Sequence, residues 1–183
     1  MTEPIGVGVI GCGKIAQMMH LPFLHELPEF RVAAICDISP ELLATVGKRH
    51  GVAAHYLDHR ELLADPDVEA VVICNYDHGP VLADVIAAGK HVIVEKPLAF
   101  TAEEAAPLVA AAEAAGIVAM IGYMKFHDPG YRMAQAQLAA MDAVGSVTVH
   151  DTAGRMDIYN PLYTLTRGED VSPEALAAGQ AAV

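Results

Sequence analysis

The stretch Gly8-Val-Ile-Gly11-Cys-Gly13-Lys14-Ile15-Ala16 decides the fold. It contains the pattern G-x-G-x-x-A, directly after the apolar run Ile5–Ile10 and at the opening of a helical pattern. Gly11 permits a tight turn. Gly13 lets the backbone approach a bulky anion without a Cβ in the way, and Ala16 is small enough for a helix to pack closely on a strand. The helix start that follows offers free N–H groups and the positive end of its dipole. The anion that suits this loop is a pyrophosphate, with Gly11, Gly13, Lys14, Ile15 and Ala16 lining it.

An acid closes the second strand. Asp37 follows Val32–Cys36 and stands 21 positions after Ala16 (37 − 16 = 21). A ribose-binding carboxylate is expected about 20 residues on from such a loop. Asp37 can accept both hydroxyls of an adenosine ribose. A 2′-phosphate would meet its negative charge, and neither Ile38 nor Ser39 supplies a compensating Arg. Loop and acid together predict a dinucleotide site for NAD, with NADP less favoured.

The rest of the chain repeats strand and helix. Strands are predicted at Ile5–Ile10, Val32–Cys36, Ala53–Tyr56, Ala70–Cys74, His91–Val94 and Val118–Ile121. Each is short, apolar on both faces and rich in Val, Ile or Ala, as strands buried in a parallel sheet are. Ser39-Pro40-Glu41 carries an N-cap, a first-turn Pro and an early acid. Asp77 with Pro80 opens another helix and Gly89 closes it. Thr101-Ala-Glu-Glu104 reads as a capping box, with Gly116 ending its helix. Pro22 and Pro107 fall inside helical stretches, where a break or bend is expected.

The alternation predicts an α/β fold, a doubly wound parallel sheet of the Rossmann type, over residues 1–122. Past Gly122 the pattern changes. Asp128–Met141 reads as one amphipathic helix, Ser146–Asp151 as a half-exposed strand, and Arg155–Asp170 has no clear period. A short alanine-rich helix would follow. Residues 123–183 therefore read as the incomplete start of a second, α+β domain, too small to bury a core of its own.

Composition bounds the function. Of 183 residues, 54% are hydrophobic and 19% charged, so a core can form. Acidic residues outnumber basic ones 23 to 11, a net charge of −12. That balance argues against nucleic acid and anionic membranes as partners. Cys12, Cys36 and Cys74 are odd in number and far apart, which fits reduced thiols. No leader or membrane-spanning run is visible, so the expected location is the cytoplasm. His55 and His59 lie four apart, but no third ligand stands at useful spacing, so no metal is expected.

At the end of the fifth predicted strand stands Glu95-Lys96-Pro97, at the sheet edge where doubly wound folds bind ligands. This motif, after the glycine loop and Asp37, resembles the Gfo/Idh/MocA oxidoreductase family. Asn75 and His78 match the family's Thr-Pro-Asn-x-x-His, with Ile73 and Cys74 in place of Thr-Pro. Gly122-Tyr-Met-Lys125-Phe-His-Asp128-Pro129 is similar to the segment that leads out of the family's Rossmann domain. Phe126 and His127 stand where many members have Arg and an aromatic.

The resemblance implies an NAD(P)-dependent oxidoreductase that moves hydride between nicotinamide and a hydroxyl-bearing sugar or polyol. It implies Cys74, Asn75, His78, Glu95, Lys96 and Pro97 as further cofactor contacts. Lys96 would be the catalytic residue, hydrogen-bonding the reacting oxygen, with Lys96 and Lys125 touching substrate. Family members continue into a large sheet with an Asp and His that complete the site. No Asp-x-x-x-His follows Lys125 here. A truncated, catalytically incomplete NAD-binding module is therefore the alternative expectation, with a homo-oligomer only if the missing sheet is supplied.

Overall fold

A computed structural model describes residues 3–150 and 160–172 of the chain. Six strands form one sheet: β1 (Ile5–Ile10), β2 (Phe30–Cys36), β3 (Ala54–Tyr56), β4 (Ala70–Ile73), β5 (His91–Val94) and β6 (Ala119–Ile121). Their order is β3-β2-β1-β4-β5-β6, and every neighbouring pair is parallel. All six predicted strands are present, within two residues at each end. A register shift between Val7 and Gly8 against β2 is a local irregularity that periodicity does not reveal.

Parallel strands need crossovers, and helices supply them. A wide π-helical turn (Ala16–His20) runs into α1 (Leu21–Glu26), and then come α2 (Pro40–His50), α3 (His59–Ala64), α4 (His78–Ala87) and α5 (Ala102–Ala115). The sheet is apolar on both faces and each face has its own core. One holds Val7, Val9, Leu21, Ile35, Leu43 and Val46. The other holds Ile10, Ala34, Leu62, Ile73, Val85 and Val94. Alternate residues of β1 thus point to opposite cores, as the pleat requires. Leu21, Ile35, Leu62 and Ile73 are essentially sealed from water. Burial stabilises by about 1.5–3 kcal/mol for each such side chain.

The helix ends follow local chemistry. Ser39 Oγ accepts the N–H of Leu42 at 3.0 Å, with Pro40 in the first turn, and Gly51 closes α2 at φ +66°. Thr101 Oγ1 accepts the N–H of Glu104 at 3.2 Å, while Glu104 reaches back to the N–H of Phe100 at 3.1 Å. Gly116 ends α5 in the left-handed region. The chain does change helical pitch at Pro22, where the π-helical turn meets α1. No break occurs at Pro107: α5 runs continuously through it. One missing N–H costs a single hydrogen bond, and an alanine-rich helix fixed at both ends retains the rest.

By its contacts the chain falls into two compact units. One comprises the sheet and its helices up to Gly122, together with the segment from Leu165; the other is Tyr123–Thr164. The second unit contains a 3-10 turn (Met124–His127) and α6 (Pro129–Ala139). Asp128 caps α6, its Oδ1 accepting from Gly130 at 2.8 Å and Tyr131 at 3.1 Å. The expected amphipathic helix is thus present, yet its apolar residues Tyr131, Met133 and Leu138 are exposed.

The strand expected at Ser146–Asp151 does not form over residues 146–150. Alternating side chains need a partner edge to hydrogen-bond, and no strand pairs there among the described residues. Asp151 and the alanine-rich stretch after Ser172 lie outside the described residues, as does most of Arg155–Asp170 before Asn160.

Candidate functional site

The register of the sheet builds the site. Ile10 lies level with Cys36 and with Ile73, Ile73 with Val94, and Val94 with Ile121. The carboxyl ends of five strands therefore share one line. The residue after each end continues the ladder: Gly11 N–H donates to Cys36 O (2.8 Å), Cys74 to Ile10 O (2.7 Å), Glu95 to Ile73 O (2.9 Å) and Gly122 to Val94 O (2.8 Å). The loops after β1, β2, β4 and β5 thus emerge side by side. Crossovers from β1 and β4 leave toward opposite faces, so a crevice opens between them.

The glycine loop sits in this crevice. Gly11 has φ +88°, and a Cβ there would come within 2.6 Å of the Asn75 backbone nitrogen. Both conformation and proximity demand glycine. A Cβ on Gly13 would meet nothing within 4 Å, so the surface above it is open. Gln17 is the first residue whose N–H reaches a carbonyl four back, that of Gly13 at 3.1 Å. The N–H groups of Lys14 and Ile15 ahead of it are those a helix start leaves for a ligand. Ala16 is fully buried, while Lys14 and Ile15 are exposed.

Asp37 stands between the glycine loop and α2. Its Oδ2 accepts the N–H of Cys12 at 2.8 Å and its Oδ1 that of Ser39 at 3.0 Å. These bonds fix the carboxylate at the edge of the loop, partly exposed, with lone pairs to spare for hydroxyl donors. Below it the three thiols are free. Burial, then the charge of Asp37, pushes the Cys36 thiol up to about 12 and raises that of Cys12 as well. Burial followed by Glu95 brings Cys74 to about 12. Thiolate chemistry is therefore disfavoured at all three.

The loop after β4 carries Asn75 and His78. The Asn75 amide donates to Asp77 O at 2.5 Å, while its Oδ1 is buried and has no hydrogen-bond partner. A buried acceptor left unsatisfied is costly, so a donor from a bound group would stabilise it. His78 is buried and its Nδ1 donates to Pro97 O at 2.8 Å, tying the start of α4 to the loop after β5. The Lys96–Pro97 peptide is cis.

Glu95 and Lys96 diverge. Glu95 Oε1 is bonded to His20 Nε2 at 2.8 Å, and both side chains are largely covered. A Cβ on Gly122 would touch the Glu95 carboxyl at 3.3 Å, so β6 presses its end closely against this acid. Lys96 is exposed at the rim. The structure thus brings Gly11, Gly13, Lys14, Ile15, Ala16, Asp37, Cys74, Asn75, His78, Glu95, Lys96 and Pro97 to one edge of the first unit. Lys125 lies in the second unit, in the 3-10 turn.

Three participants carry no sequence signal of their own. His20 was hidden in a helical stretch. Gln17 is buried yet bonds the Cys12 carbonyl and the backbone of Thr166. Asp170 meets Ser39. His55 and His59, by contrast, make separate local bonds, to Val52 O and to Asp84. Among the described residues no group of three His, Cys, Asp or Glu side chains is placed to hold a metal ion, and no helix is long and apolar enough to cross a membrane.

The open surface at Gly13, the unsatisfied Asn75 Oδ1 and the poised Asp37 fit a dinucleotide, and the fold and site define a nucleotide-binding Rossmann unit. The model of the Gfo/Idh/MocA family, an oxidoreductase family with an NAD-binding Rossmann fold, matches residues 5–123, and the chain belongs to that family.

Among its relatives is an inositol 2-dehydrogenase of Pseudomonas savastanoi pv. phaseolicola, 40% identical over 130 residues, 69% of this chain and 39% of that protein. The uncharacterized oxidoreductase YrbE of Bacillus subtilis is 30% identical over 134 residues, 72% of this chain and 39% of its own length. This chain therefore spans about two fifths of the curated relatives it matches.

Solved structures agree. KijD10, a 3-ketoreductase from Actinomadura kijaniata in complex with NADP and TDP-benzene, has a TM-score of 0.68 and 33% identity over 74% of this chain and 42% of that one. GenD2 from gentamicin A biosynthesis, in complex with NAD, has a TM-score of 0.70 and 32% identity over 80% and 42%.

Proposed function

We propose that this chain binds NAD along the carboxyl edge of its sheet and serves hydride transfer to or from a hydroxyl-bearing carbon of a sugar or polyol. The observation that carries the reading is the shared line of strand ends. It gathers the glycine loop, Asp37, Asn75 and Glu95-Lys96-Pro97, residues scattered over some ninety positions, into one crevice. The relatives support the substrate class: they include inositol 2-dehydrogenases, and a solved neighbour is a 3-ketoreductase in complex with NADP and TDP-benzene.

In this reading the N–H groups of Lys14 and Ile15 face the pyrophosphate, and Asp37 accepts the adenosine ribose hydroxyls. NAD is favoured because Asp37 opposes a 2′-phosphate, although family neighbours hold NAD or NADP. Asn75 Oδ1 accepts a donor from the nicotinamide half. His78 holds the Pro97 carbonyl and so fixes the turn that carries Lys96. The bound cofactor supplies or takes hydride at the nicotinamide ring. Lys96 hydrogen-bonds the substrate oxygen and shares in moving its proton, a role that depends on correct placement more than on strength. Lys125 is the proposed second substrate contact.

A second reading, an NAD-binding module without turnover, rests on one observation. Glu95, the acid next to Lys96, is engaged by His20 and so does not serve as its proton partner. Two measurements decide. Titration of the chain with NADH, followed by cofactor fluorescence, is expected to saturate. NAD reduction assayed against inositols, aldoses and hydroxy acids is expected with at least one polyol or sugar. Binding without reduction of NAD by any of them establishes the module, and no binding removes both readings.

A further inference from the structure

The segment from Leu165 returns to the first unit and lies across the adenosine end of the crevice. Gln17 grips its backbone on both sides: the side-chain amide donates to Thr166 O at 2.8 Å, and Thr166 N–H donates to Gln17 Oε1 at 2.9 Å. Arg49 adds bonds to Thr166 Oγ1 at 2.7 Å and Gln17 Oε1 at 3.1 Å. At Gly168 the strap comes so close that a Cβ would overlap the Ser39 hydroxyl. Two residues later the Asp170 carboxylate accepts from the Ser39 hydroxyl through Oδ1 and from the Glu41 N–H at 2.9 Å through Oδ2. Ser39 is itself bonded through its N–H to Asp37.

These contacts bear on the proposed cofactor. A ribose whose hydroxyls donate to Asp37 directs its 2′-oxygen toward the loop that follows the acid. A phosphate on that oxygen needs donors there, and an Arg is the usual one. The donors this loop offers are the Ser39 hydroxyl and the first N–H groups of α2. The Leu42 N–H is bonded to Ser39 Oγ, and Asp170 already occupies the Ser39 hydroxyl and the Glu41 N–H. It also brings a negative charge, next to Glu41, whose carboxylate meets the Glu169 N–H at 3.5 Å. Arg49 is bonded to Gln17 and Thr166, and Arg167 is exposed on the strap.

We propose that Asp170 is a specificity-determining residue: as part of the Thr166–Asp170 strap it takes the hydrogen-bond donors that a ribose 2′-phosphate would need and repels that phosphate, so that NADP is excluded. The inference rests on the dinucleotide reading of the crevice and adds a second carboxylate, 133 positions from Asp37 (170 − 37 = 133), to its discrimination. The Ser39 hydroxyl and the Glu41 N–H hold the Asp170 carboxyl below the usual carboxylate range, so the charge is present at neutral pH.

The test is a fluorescence titration of the full chain with NADH and, separately, NADPH. Asp170→Asn keeps the shape and removes the charge. Gly168→Ala is expected to lift the strap by collision with Ser39. In both variants the ratio of the NADPH to the NADH dissociation constant should fall at least about tenfold, because the like charge that opposes the 2′-phosphate is removed or moved away. An unchanged ratio in Asp170→Asn, with NADH still bound by the parent chain, overturns this inference alone. Equal tightening of both cofactors also overturns it, since the strap would then merely obstruct the crevice. A parent chain that binds neither cofactor, or an Asp37→Ala variant that binds NADH as well as the parent, overturns the dinucleotide reading and the inference with it.

Discussion

Glu95 and His20 are 75 residues apart in the chain and 2.8 Å apart in the fold. Each is largely covered, and the bond joins the loop after β5 to the helical turn after the glycine loop. It therefore links the segment proposed to hold the pyrophosphate with the one that carries Lys96. Removing one partner strands the other, and an unsatisfied, mostly buried polar group costs about 1–3 kcal/mol. Glu95→Ala and His20→Ala should each lower the unfolding free energy measured in urea by that order. The double variant should cost clearly less than the sum of the two. Strict additivity in such a cycle would show that the two side chains do not support each other.

Gly11 and Gly13 separate folding from binding. Gly11 lies at φ +88° with Asn75 backbone close above it, so Gly11→Ala meets both strain and collision. Such strain costs about 1–3 kcal/mol, visible as a lower urea midpoint. Gly13→Ala meets no atom within 4 Å of its new methyl and should unfold with the parent. The methyl would stand where a pyrophosphate has to approach. NADH affinity of Gly13→Ala should fall at least about tenfold, with unchanged far-ultraviolet dichroism. A destabilised Gly13→Ala, or one that binds NADH as before, contradicts this division.

Lys96 sits at the rim on a turn held by His78, and its acid neighbour is turned away. If it moves the substrate proton, Lys96→Gln should lower kcat for the substrate found in the panel by about 10²–10⁴. The loss should fall on kcat more than on KM, because the ammonium acts on the reacting oxygen. A KM effect with kcat preserved would make Lys96 a binding residue only.

How much of this was legible beforehand follows from distance along the chain. The glycine loop and Asp37 belong to one βαβ unit, whose geometry fixes their spacing, so pattern alone found them. Strands buried on both faces announced themselves as short apolar runs. Contacts such as Gln17 with Thr166, 149 residues apart, and Ser39 with Asp170, 131 apart, have no local pattern. They depend on where the chain returns after leaving the sheet.

Local rules misled in two places for related reasons. Residues 146–150 alternate like a strand, but a strand is completed only by a partner edge. Pro107 weakens a helix by one bond, and the caps at Thr101 and Gly116 outweigh that loss. In each case a local preference was decided by what surrounds it. The Glu95-Lys96-Pro97 motif was legible as a chemical site, but the pairing of Glu95 with His20 was not, because nothing around His20 marks it as more than a helical residue.

His25 at the end of α1 stacks on His50 at the end of α2, with ring centroids 5.2 Å apart and planes 7° from parallel. Burial lowers the pKa of His50 below the ordinary 6.5, and the charges of His25 and Arg49 lower it further. The fold therefore favours neutral His50, and between the lowered value and 6.5 the unfolded chain binds more protons. The stabilisation is fully present above pH 6.5 and is lost as pH falls through the folded value. The urea midpoint should decline between pH 7 and pH 5 in the parent chain and decline less in His50→Gln, which cannot be protonated there. In an NMR titration the His50 Hε1 midpoint should lie below 6.5 and rise in His25→Ala, where both a like charge and a covering ring are removed. A midpoint at or above 6.5 in the folded chain would mean that the stack does not exclude the proton, and the pH dependence assigned to it would fall.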